Sequence, residues 1–414
     1  MPRVCLVWPR LGPYHLARVR GAHARFARGG GEAVALDVAT QDGLYAWSVE
    51  DGPTAFRREV ALPGRSYHEV PPAQMEAAVA AALDRIDPDA VAVPSYSTPD
   101  ARAVLSWCRR RRRTAVMLFE SRAGDVARRA AREAVKGALA REFDACLASG
   151  DEHAAYAASL GLPRHAIVTG MSVVDNAAIA AAVAAARAAP DAWSHLPGLE
   201  SPSPFFLASN RFIARKNLPA LVRAYAAYRA RVAPGHAPWR LVLLGDGDGR
   251  TALEALAGPG VVFAGFRQID EIPAYYAAAG AFVHPALADQ WGLVVNEAAA
   301  AGLPLVVSTA TGAAADLVED GGNGVTFDAA DEAALTDALV RVAALPAATR
   351  AAFGARSRAL VSRFTPETFG EALWQAVRLG AVRADRGPSL AARAVLASIR
   401  LTARDAQAFH TVEA

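Results

Sequence analysis

The sequence predicts an α/β fold made of two doubly wound parallel sheets that follow one another along the chain. Short apolar runs bounded by turn residues alternate with helical stretches, which is the pattern of parallel strands joined by crossover helices. The chain has 414 residues, 53% of them hydrophobic. It is therefore too long for one ordinary core and has enough apolar residues for two.

Two series of strands are predicted from these runs. The first comprises residues 4–8, 33–38, 90–93, 115–119 and 145–147, and the second comprises residues 205–208, 240–244, 261–264, 281–284 and 305–308. A stretch at 188–204 contains four prolines and is the predicted linker. We therefore expect domains at 1–187 and 205–364. Ligands of such sheets bind outside the carboxyl ends of the strands, so the loops there are expected to line a cleft.

Two further helices are predicted at the carboxyl end of the chain, within residues 365–414. The first spans 365–379, with Thr365 as its cap and Pro366 at its first position. The second spans 391–406. This segment is expected to cross back and brace the first domain.

Charge and cysteine content favour a cytoplasmic protein that does not bind nucleic acid. Lys+Arg 44 and Asp+Glu 41 nearly balance, so no basic excess selects a polyanion. Cys5, Cys108 and Cys146 show no metal-ligand or CxxC spacing and are expected as buried thiols. Five consecutive arginines at 109–113 are expected to form a helix face exposed to water. The alternative is that this face contacts the surface of a membrane, such as the inner face of the cell membrane.

Residues 289–304, DQWGLVVNEAAAAGLP, place two carboxylates eight residues apart across a glycine-containing turn. Asp289 precedes the turn, and Glu297 lies in an Ala-rich helix that stops at Gly302. Carboxylates accept hydrogen bonds from diols, and N–H groups at a helix start donate to oxygens. A sugar nucleotide offers hydroxyl donors and a pyrophosphate acceptor, so the segment is suited to bind one.

Two cations follow the strand predicted at 205–208. Arg211 and Lys216 lie in the loop or first helical turn, where fixed positive charge stabilises a leaving nucleoside diphosphate. Taken alone, such residues are more often solvated, and Arg215 could share the role or point outward. Their position at a strand end favours a pyrophosphate site.

Two further strand ends carry turn residues. Gly265-Phe266-Arg267 could bind a nucleobase edge while Phe266 packs on the base, although a core phenylalanine is the alternative. The turn at 245–249, GDGDG, lacks the G-x-G-x-x-G spacing, so we do not expect NAD. Asp246 and Asp248 are expected to pack within this turn and not to bind a metal.

The first domain offers two candidate polar sets at strand ends. Gly12 follows the first strand and lets the backbone approach a phosphate or acceptor. Tyr14 and His15 begin the next helix, where a lone histidine is more often a cap or a solvated group. Glu120 and Ser121 follow the strand predicted at 115–119. Both sets would face the same cleft.

Over nearly its whole length, and most specifically in the second domain, the chain resembles the retaining GT-B glycosyltransferases of family 4. In that family two glutamates eight residues apart bracket an aromatic-Gly turn ahead of a small-residue helix. Residues 289–304 follow this pattern, with Asp289 where the family usually has Glu. The first domain is a looser match, because Glu120-Ser121 stands where many members have a histidine near the reacting carbon. The resemblance implies two Rossmann-like domains facing a cleft.

The resemblance also implies roles for the candidate residues. Glu297 would bind the ribose diol, Asp289 the donor sugar, and Arg211 with Lys216 the pyrophosphate. The implied donor-binding residues are Gly12, Gly265, Phe266, Arg267, Gln290, Trp291, Gly292 and Leu293, and the implied acceptor-side residues are Tyr14, His15, Glu120 and Ser121.

We therefore expect a retaining glycosyltransferase that moves a sugar from a nucleoside diphosphate to an acceptor hydroxyl without an obligatory metal or cofactor. Its partners would be a nucleotide-sugar donor and a hydroxyl acceptor. Two alternatives stay open: a GT-B epimerase or phosphorylase, and a non-catalytic protein that binds a sugar nucleotide. The sequence does not identify the base, the sugar, the acceptor or the oligomeric state.

Overall fold

The computed structural model describes residues 2–41, 54–125, 128–201, 203–233 and 235–384. These residues divide into two compact units. The first contains the described chain up to Val173 and resumes at Pro366, and the second is Val174–Thr365.

The first unit is built on a parallel sheet with helices between its strands. Its described strands are β1 Arg3–Trp8, β2 Glu32–Gln41, β3 Arg58–Ser66, β4 Ala90–Pro94, β5 Thr114–Phe119, β6 Ala145–Ala148 and β7 Ile167–Thr169, in the order β3-β2-β1-β4-β5-β6-β7. The helices that follow them are α1 Pro13–Arg28, α2 Pro72–Ile86, α3 Pro99–Arg111, α4 Ala130–Ala140 and α5 Asp151–Ser159.

The second unit repeats this arrangement. Its described strands are β8 Phe205–Ser209, β9 Arg240–Leu244, β10 Val261–Gly265, β11 Ala281–His284, β12 Leu305–Ser308 and β13 Gly324–Phe327, all parallel, in the order β10-β9-β8-β11-β12-β13. Its helices are α6 Asn176–Ala188, α7 Leu218–Arg231, α8 Arg250–Leu256, α9 Ile272–Ala278, α10 Leu293–Ala300, α11 Ala314–Leu317, α12 Glu332–Ala343 and α13 Ala347–Val361. The final described helix, α14 Pro366–Ala381, returns to the first unit and packs against α1.

The predicted fold class is confirmed, because both sheets are parallel and wound in both directions from an inner strand. The inner strands are buried from end to end, as in β5 and β11. Helices cover both faces of such strands, so their sequences read as continuous apolar runs. This is why the sequence located their ends to within one residue, except that β2 runs three residues further than predicted, to Gln41.

Three edge strands were not predicted. In β3 most residues are partly exposed, and its sequence, REVALPGRS, mixes charges with Pro63 and Gly64. The other two, β7 and β13, are only three and four residues long. Strands at a sheet edge contact water on one side, so they need no long apolar run.

The first unit ends earlier than the predicted boundary at residue 187. Helix α6 packs with α9 and α10 of the second unit. Its first residue, Asn176, donates through its amide to the carbonyl oxygens of Val361 at 2.9 Å and Phe364 at 3.1 Å. An alanine-rich helix gives little sequence signal of which core it joins. The predicted helix at 391–406 lies outside the described residues.

Candidate functional site

The main candidate site lies at the point in the second sheet where the strand order reverses. Strands β8 and β11 are neighbours there, and the chain leaves them in opposite directions around the sheet. Ligands of open α/β sheets bind at such a point, outside the carboxyl ends of the strands. The loop after β8 carries Arg211 and Lys216, and the loop after β11 carries Asp289.

Asp289 is buried and binds two side chains through the same oxygen. Lys216 Nζ lies 2.5 Å from Asp289 Oδ2, and His284 Nε2 lies 2.8 Å from it. The backbone of Asp289 is also fixed: its N–H donates to Ala310 O at 3.2 Å, and its carbonyl accepts from Gly312 N at 2.9 Å. The carboxylate is therefore held in one place before any ligand arrives.

The electrostatics of this cluster keep Asp289 ionised. Burial alone would raise the pKa of Asp289, but the positive Lys216 and the His284 hydrogen bond outweigh it and hold the pKa well below its usual range. Burial lowers the pKa of His284, with its hydrogen bond to Asp289 opposing and the positive Lys216 reinforcing that shift. A neutral His284 must donate from Nε2, since an ionised carboxylate only accepts.

His284 is a site residue that the sequence analysis missed. It is the last residue of β11 and is completely buried. Its other ring nitrogen, Nδ1, finds no hydrogen-bond partner in the described part of the chain. The available signal was a titratable side chain at the end of the apolar run AFVH, directly before the Asp289 loop.

Glu297 lies in α10 and has a partner that was also missed. The hydroxyl of Tyr276, in α9, donates to Glu297 Oε2 at 2.9 Å, and both side chains are buried. This contact fixes Oε2 of the Glu297 carboxylate and does not involve Oε1. The two carboxylates of the predicted pair therefore have separate supports, Lys216 and His284 for one and Tyr276 for the other.

The turn between the two carboxylates depends on Gly292. This residue has φ +90°, and a Cβ atom there would lie 3.0 Å from Thr311 Cγ2 and 3.3 Å from Asp289 Oδ2. A side chain at this position would be strained and would press on the Asp289 carboxylate. The glycine begins α10, whose first N–H groups have no partner within the helix.

Trp291 contributes to this turn through its backbone, because its side chain packs inside the unit. The indole Nε1 donates to Asn296 Oδ1 at 2.8 Å, and its ring centroid lies 5.3 Å from that of Phe364. Gln290 and Leu293, on either side, are half-buried. The indole therefore anchors the turn inside the second unit.

The loop after β8 is tied to the loop after β11. Leu287 N–H donates to Arg215 O at 2.8 Å. The Nε of Arg215 is buried and has no hydrogen-bond partner among the described residues. Arg211 lies two residues beyond the end of β8 and is half-buried. Three positively charged residues thus lie within seven positions of the end of β8.

The segment Gly265-Phe266-Arg267 lies at the carboxyl end of β10. Gly265 has φ +78°, and its carbonyl accepts from Gly245 N at 2.9 Å. Phe266 is 39% exposed, so the alternative of a core phenylalanine does not hold. Arg267 folds back, donating from Nε to Ala264 O at 2.8 Å. An accessible aromatic ring therefore stands at this strand end.

The glycine-rich turn after β9 is explained by packing. Gly245 has φ +121°, and a Cβ there would lie 1.8 Å from Asn210 O. Asp246 pairs with Arg250 at 3.1 Å, and both Asp246 and Asp248 are exposed, so the expectation that these two residues pack within the turn is wrong. No group of three or more residues in the described ranges is arranged to hold a metal ion.

In the first unit, Gly12 and His15 form the start of α1. Gly12 N–H donates to His15 Nδ1 at 3.0 Å, and the His15 ring lies 4.9 Å from that of Trp8. Loss of surrounding water, with a smaller effect of the positive Arg18, lowers the pKa of His15 to about 3. His15 therefore acts here as a neutral helix cap, the first of the two alternatives. Tyr14 beside it is half-buried.

Glu120 follows β5 and contacts residues from two other segments. Arg18 Nη2 of α1 lies 3.8 Å from Glu120 Oε1, and Ser172 Oγ donates to the same oxygen at 3.2 Å. Ser172 Oγ is in turn 2.7 Å from Ser149 Oγ, which follows β6. Ser121 is half-buried beside Glu120. Sequence reasoning identified Glu120 but missed Arg18, Ser149 and Ser172.

The basic run at 109–113 is largely paired. Arg109 is buried against Asp144 at 2.8 Å, Arg111 lies 2.8 Å from Asp84, and Arg113 lies 2.6 Å from Asp89. Because three of these five arginines pair with aspartates, the run carries less unpaired positive charge than its sequence suggests. None of the described helices combines the length and apolar character that a membrane crossing requires.

Residues 203–344 match the family model described as glycosyl transferases group 1. This segment contains both carboxylates of the main site, together with Lys216, His284 and Tyr276. A comparison with curated protein sequences gives no match.

Solved structures similar to this chain include three from bacteria. A sucrose-phosphate synthase from Thermosynechococcus elongatus has a TM-score of 0.69 and 18% identity, over 91% of this chain and 98% of that one. HepE of Anabaena, in complex with UDP and glucose, has a TM-score of 0.67 and 17% identity, over 91% and 100%. An α,α-trehalose 6-phosphate synthase from Burkholderia multivorans has a TM-score of 0.67 and 16% identity, over 93% and 100%. The chain therefore has the GT-B fold, and these findings together support a glycosyltransferase enzyme.

Proposed function

We propose that this protein is a retaining glycosyltransferase that moves a sugar from a nucleoside diphosphate to an acceptor hydroxyl without an obligatory metal or cofactor. The observation that carries the proposal is the Lys216–Asp289–His284 cluster at the reversal point of the second sheet, inside the segment that matches the glycosyl transferase model. HepE, with the same fold, is described in complex with UDP and glucose.

The second unit would bind the donor. The accessible ring of Phe266 would pack on the base, and the buried carboxylate of Glu297, fixed by Tyr276, would accept hydrogen bonds from the ribose diol. Asp289 would accept from a sugar hydroxyl. The N–H groups at the start of α10, beside Trp291 and Gly292, would donate to the donor's oxygens.

The leaving group would be stabilised by side chains. As the bond from the sugar carbon to the phosphate oxygen breaks, the pyrophosphate gains negative charge near Lys216 and Arg211. An ammonium has three N–H donors and Asp289 takes one of them, so Lys216 can bind a phosphate oxygen without releasing its partner. Cations already fixed before the reaction stabilise that charge without reorganisation, which is why no metal is needed in this proposal.

The chemical step would be attack on the face from which the leaving group departs. The acceptor oxygen forms a bond to the sugar carbon, the phosphate oxygen leaves with its electron pair, and the acceptor proton passes to that phosphate oxygen. The acceptor would bind on the first unit, near Tyr14, His15, Glu120 and Ser121. A product with the opposite anomeric configuration, read from its NMR coupling constants, would contradict this mechanism.

The donor site can be tested by thermal stabilisation of the purified protein with a panel of nucleoside diphosphates and their sugars, with and without chelator. A ligand at about 100 times its dissociation constant adds about 2.7 kcal/mol to the stability. We expect a selective shift that survives the chelator and is lost in Glu297→Ala. No shift with any of the ligands, or a shift retained by the variant, would overturn the proposed donor site.

A further inference from the structure

A buried cation lies behind the carboxylate at the end of β5. Arg18 is only 2% exposed, and its Nε and Nη2 atoms have no hydrogen-bond partner among the described residues. Burial lowers the pKa of Arg18, and the nearby Glu120 opposes that shift. At 3.8 Å, Glu120 is close enough for charge attraction but too far for a hydrogen bond.

Glu120 is held from its inner side and remains accessible on the other. Its Oε1 accepts from Ser172, whose hydroxyl contacts that of Ser149, and both serines are completely buried. The Glu120 side chain nevertheless remains 35% exposed. The carboxylate is thus fixed by a buried polar network while part of it faces water.

This geometry differs from an ordinary structural ion pair. Elsewhere in the same unit, Arg102 and Glu76 form such a pair: the arginine is equally buried, but its guanidinium lies 2.9 Å from the carboxylate and also donates to Ser97 O. Arg18 and Glu120, in contrast, do not approach each other to hydrogen-bonding distance. Buried charged donors without hydrogen bonds are costly, so a contribution to folding does not by itself account for this arrangement.

We propose that Glu120 binds the acceptor and selects for neutral or cationic hydrogen-bond donors, such as hydroxyl or ammonium groups, over groups that carry phosphate. This inference rests on the proposed transfer reaction and names the acceptor class for it. A ligand arriving from water meets the exposed carboxylate before the buried guanidinium. Because Coulomb energy falls with distance, the nearer negative charge dominates the contact even though the pair is neutral overall. Ser172 is the positioning residue that holds Glu120.

The test uses three probes of matched shape: glucose, glucosamine and glucose 6-phosphate. Their binding to the full chain is measured by NMR titration in the presence of the nucleoside diphosphate found to stabilise it. We expect the wild-type protein to bind glucosamine at least as well as glucose and about tenfold more tightly than glucose 6-phosphate.

Glu120→Gln keeps the shape of the side chain and removes its charge. We expect this variant to weaken glucosamine binding about tenfold and to remove the discrimination against glucose 6-phosphate. Ser172→Ala should weaken glucosamine binding a few-fold, with the order of the three probes unchanged. Glu76→Gln is the matched control, since it alters a carboxylate beside an equally buried arginine, and it should leave all three affinities unchanged.

Several results would overturn the inference. These are tighter binding of glucose 6-phosphate by the wild-type protein, an unchanged order of probes in Glu120→Gln, and no binding of glucose or glucosamine at all. The donor stabilisation and its loss in Glu297→Ala are measured separately, on the second unit. If the donor result holds and the probe result does not, only the acceptor inference fails.

Discussion

Lys216 Nζ lies 2.5 Å from Asp289 Oδ2, which joins the cation that follows β8 to the carboxylate that follows β11. These two strands are adjacent at the reversal point of the second sheet. The pair therefore forms a fixed, nearly neutral unit at the kind of position where open α/β sheets bind ligands. Its carboxylate belongs to an aspartate, whose short side chain also stays within reach of His284 at the end of β11.

Asp289→Asn should lower kcat/KM for sugar transfer about 10- to 100-fold, which corresponds to about 1.4 to 2.7 kcal/mol. The amide keeps the shape of the side chain but loses the charge that orients Lys216 and accepts from a sugar hydroxyl. Steady-state kinetics will measure kcat/KM, with a nucleotide-sugar donor that the thermal stabilisation experiment has identified. Asp337→Asn is the matched control, because Asp337 pairs with Arg231 on the exposed surface of the same unit, and it should leave kcat/KM unchanged. Equal activity of Asp289→Asn and wild type would contradict the role of the pair.

Tyr276→Phe should weaken donor binding about 3- to 10-fold, because removal of one hydrogen bond to a buried carboxylate typically costs about 1 kcal/mol. The lost hydroxyl is the one that fixes Glu297. Calorimetric titration with the donor nucleotide measures the change. Tyr228→Phe removes another buried hydroxyl of the same unit, one that accepts from Trp239 N; it should cost stability without changing nucleotide affinity. A similar loss of affinity in both variants would indicate a general packing effect.

Sequence spacing identified those candidate residues that lie close together along the chain. Asp289 and Glu297 share one turn and one helix, and Lys216 follows a recognisable strand. Their supports come from distant positions: Tyr276 is 21 residues from Glu297, and Ser172 is 52 residues from Glu120. Such contacts depend on how helices and strands pack, which no local pattern specifies.

The same distinction separates the predicted strands from the missed ones. Strands buried on both faces show continuous apolar runs, whereas the edge strand β3 has charges and partly exposed residues. For α6, alanine at most positions fits either unit, so the boundary required knowledge of the Asn176 hydrogen bonds. A strand that is buried on both faces is therefore well predicted from sequence. A strand that is partly exposed, or a helix that could pack on either unit, is predicted less well.

His15→Asn should make the protein less sensitive to mild acid. The folded-state pKa of His15 is about 3, below the value of about 6.5 expected in the unfolded chain. As the pH falls from about 6.5 towards 3, the unfolded state gains a proton that the folded state does not bind, so stability is lost in that window. Asparagine can accept from Gly12 N–H but does not titrate there.

The measurement for His15 is urea unfolding of wild type and His15→Asn at about pH 7.5 and about pH 5. We expect the wild-type protein to lose more unfolding free energy than the variant between these two values. A parallel loss in the two proteins, or NMR signals showing His15 protonated at about pH 5, would contradict a histidine that stays neutral in the folded protein.

Gly370→Ala should destabilise the first unit, because α14 and α1 cross with their backbones in contact. A Cβ on Gly370 would lie 2.3 Å from Gly21 O, and a Cβ on Gly21 would lie 1.8 Å from Pro366 O. Alanine gains about 1 kcal/mol over glycine within a helix. That gain opposes an overpacking cost of about 1 to 3 kcal/mol. The overpacking cost should exceed the gain in helix propensity here, because the obstructing atoms belong to the backbone and cannot rotate away as a flexible side chain would.

Urea unfolding followed by circular dichroism, comparing Gly370→Ala with Gly124→Ala, measures this balance. A Cβ on Gly124 would meet no atom of the described residues within 4 Å, so that variant should stay within about 0.5 kcal/mol of wild type. Because the contact lies in the first unit, nucleotide affinity should be the same in both variants. A Gly370→Ala protein as stable as wild type would mean that α14 can separate from α1 at little cost, and the close crossing would then contribute nothing to holding the returning helix on the first unit.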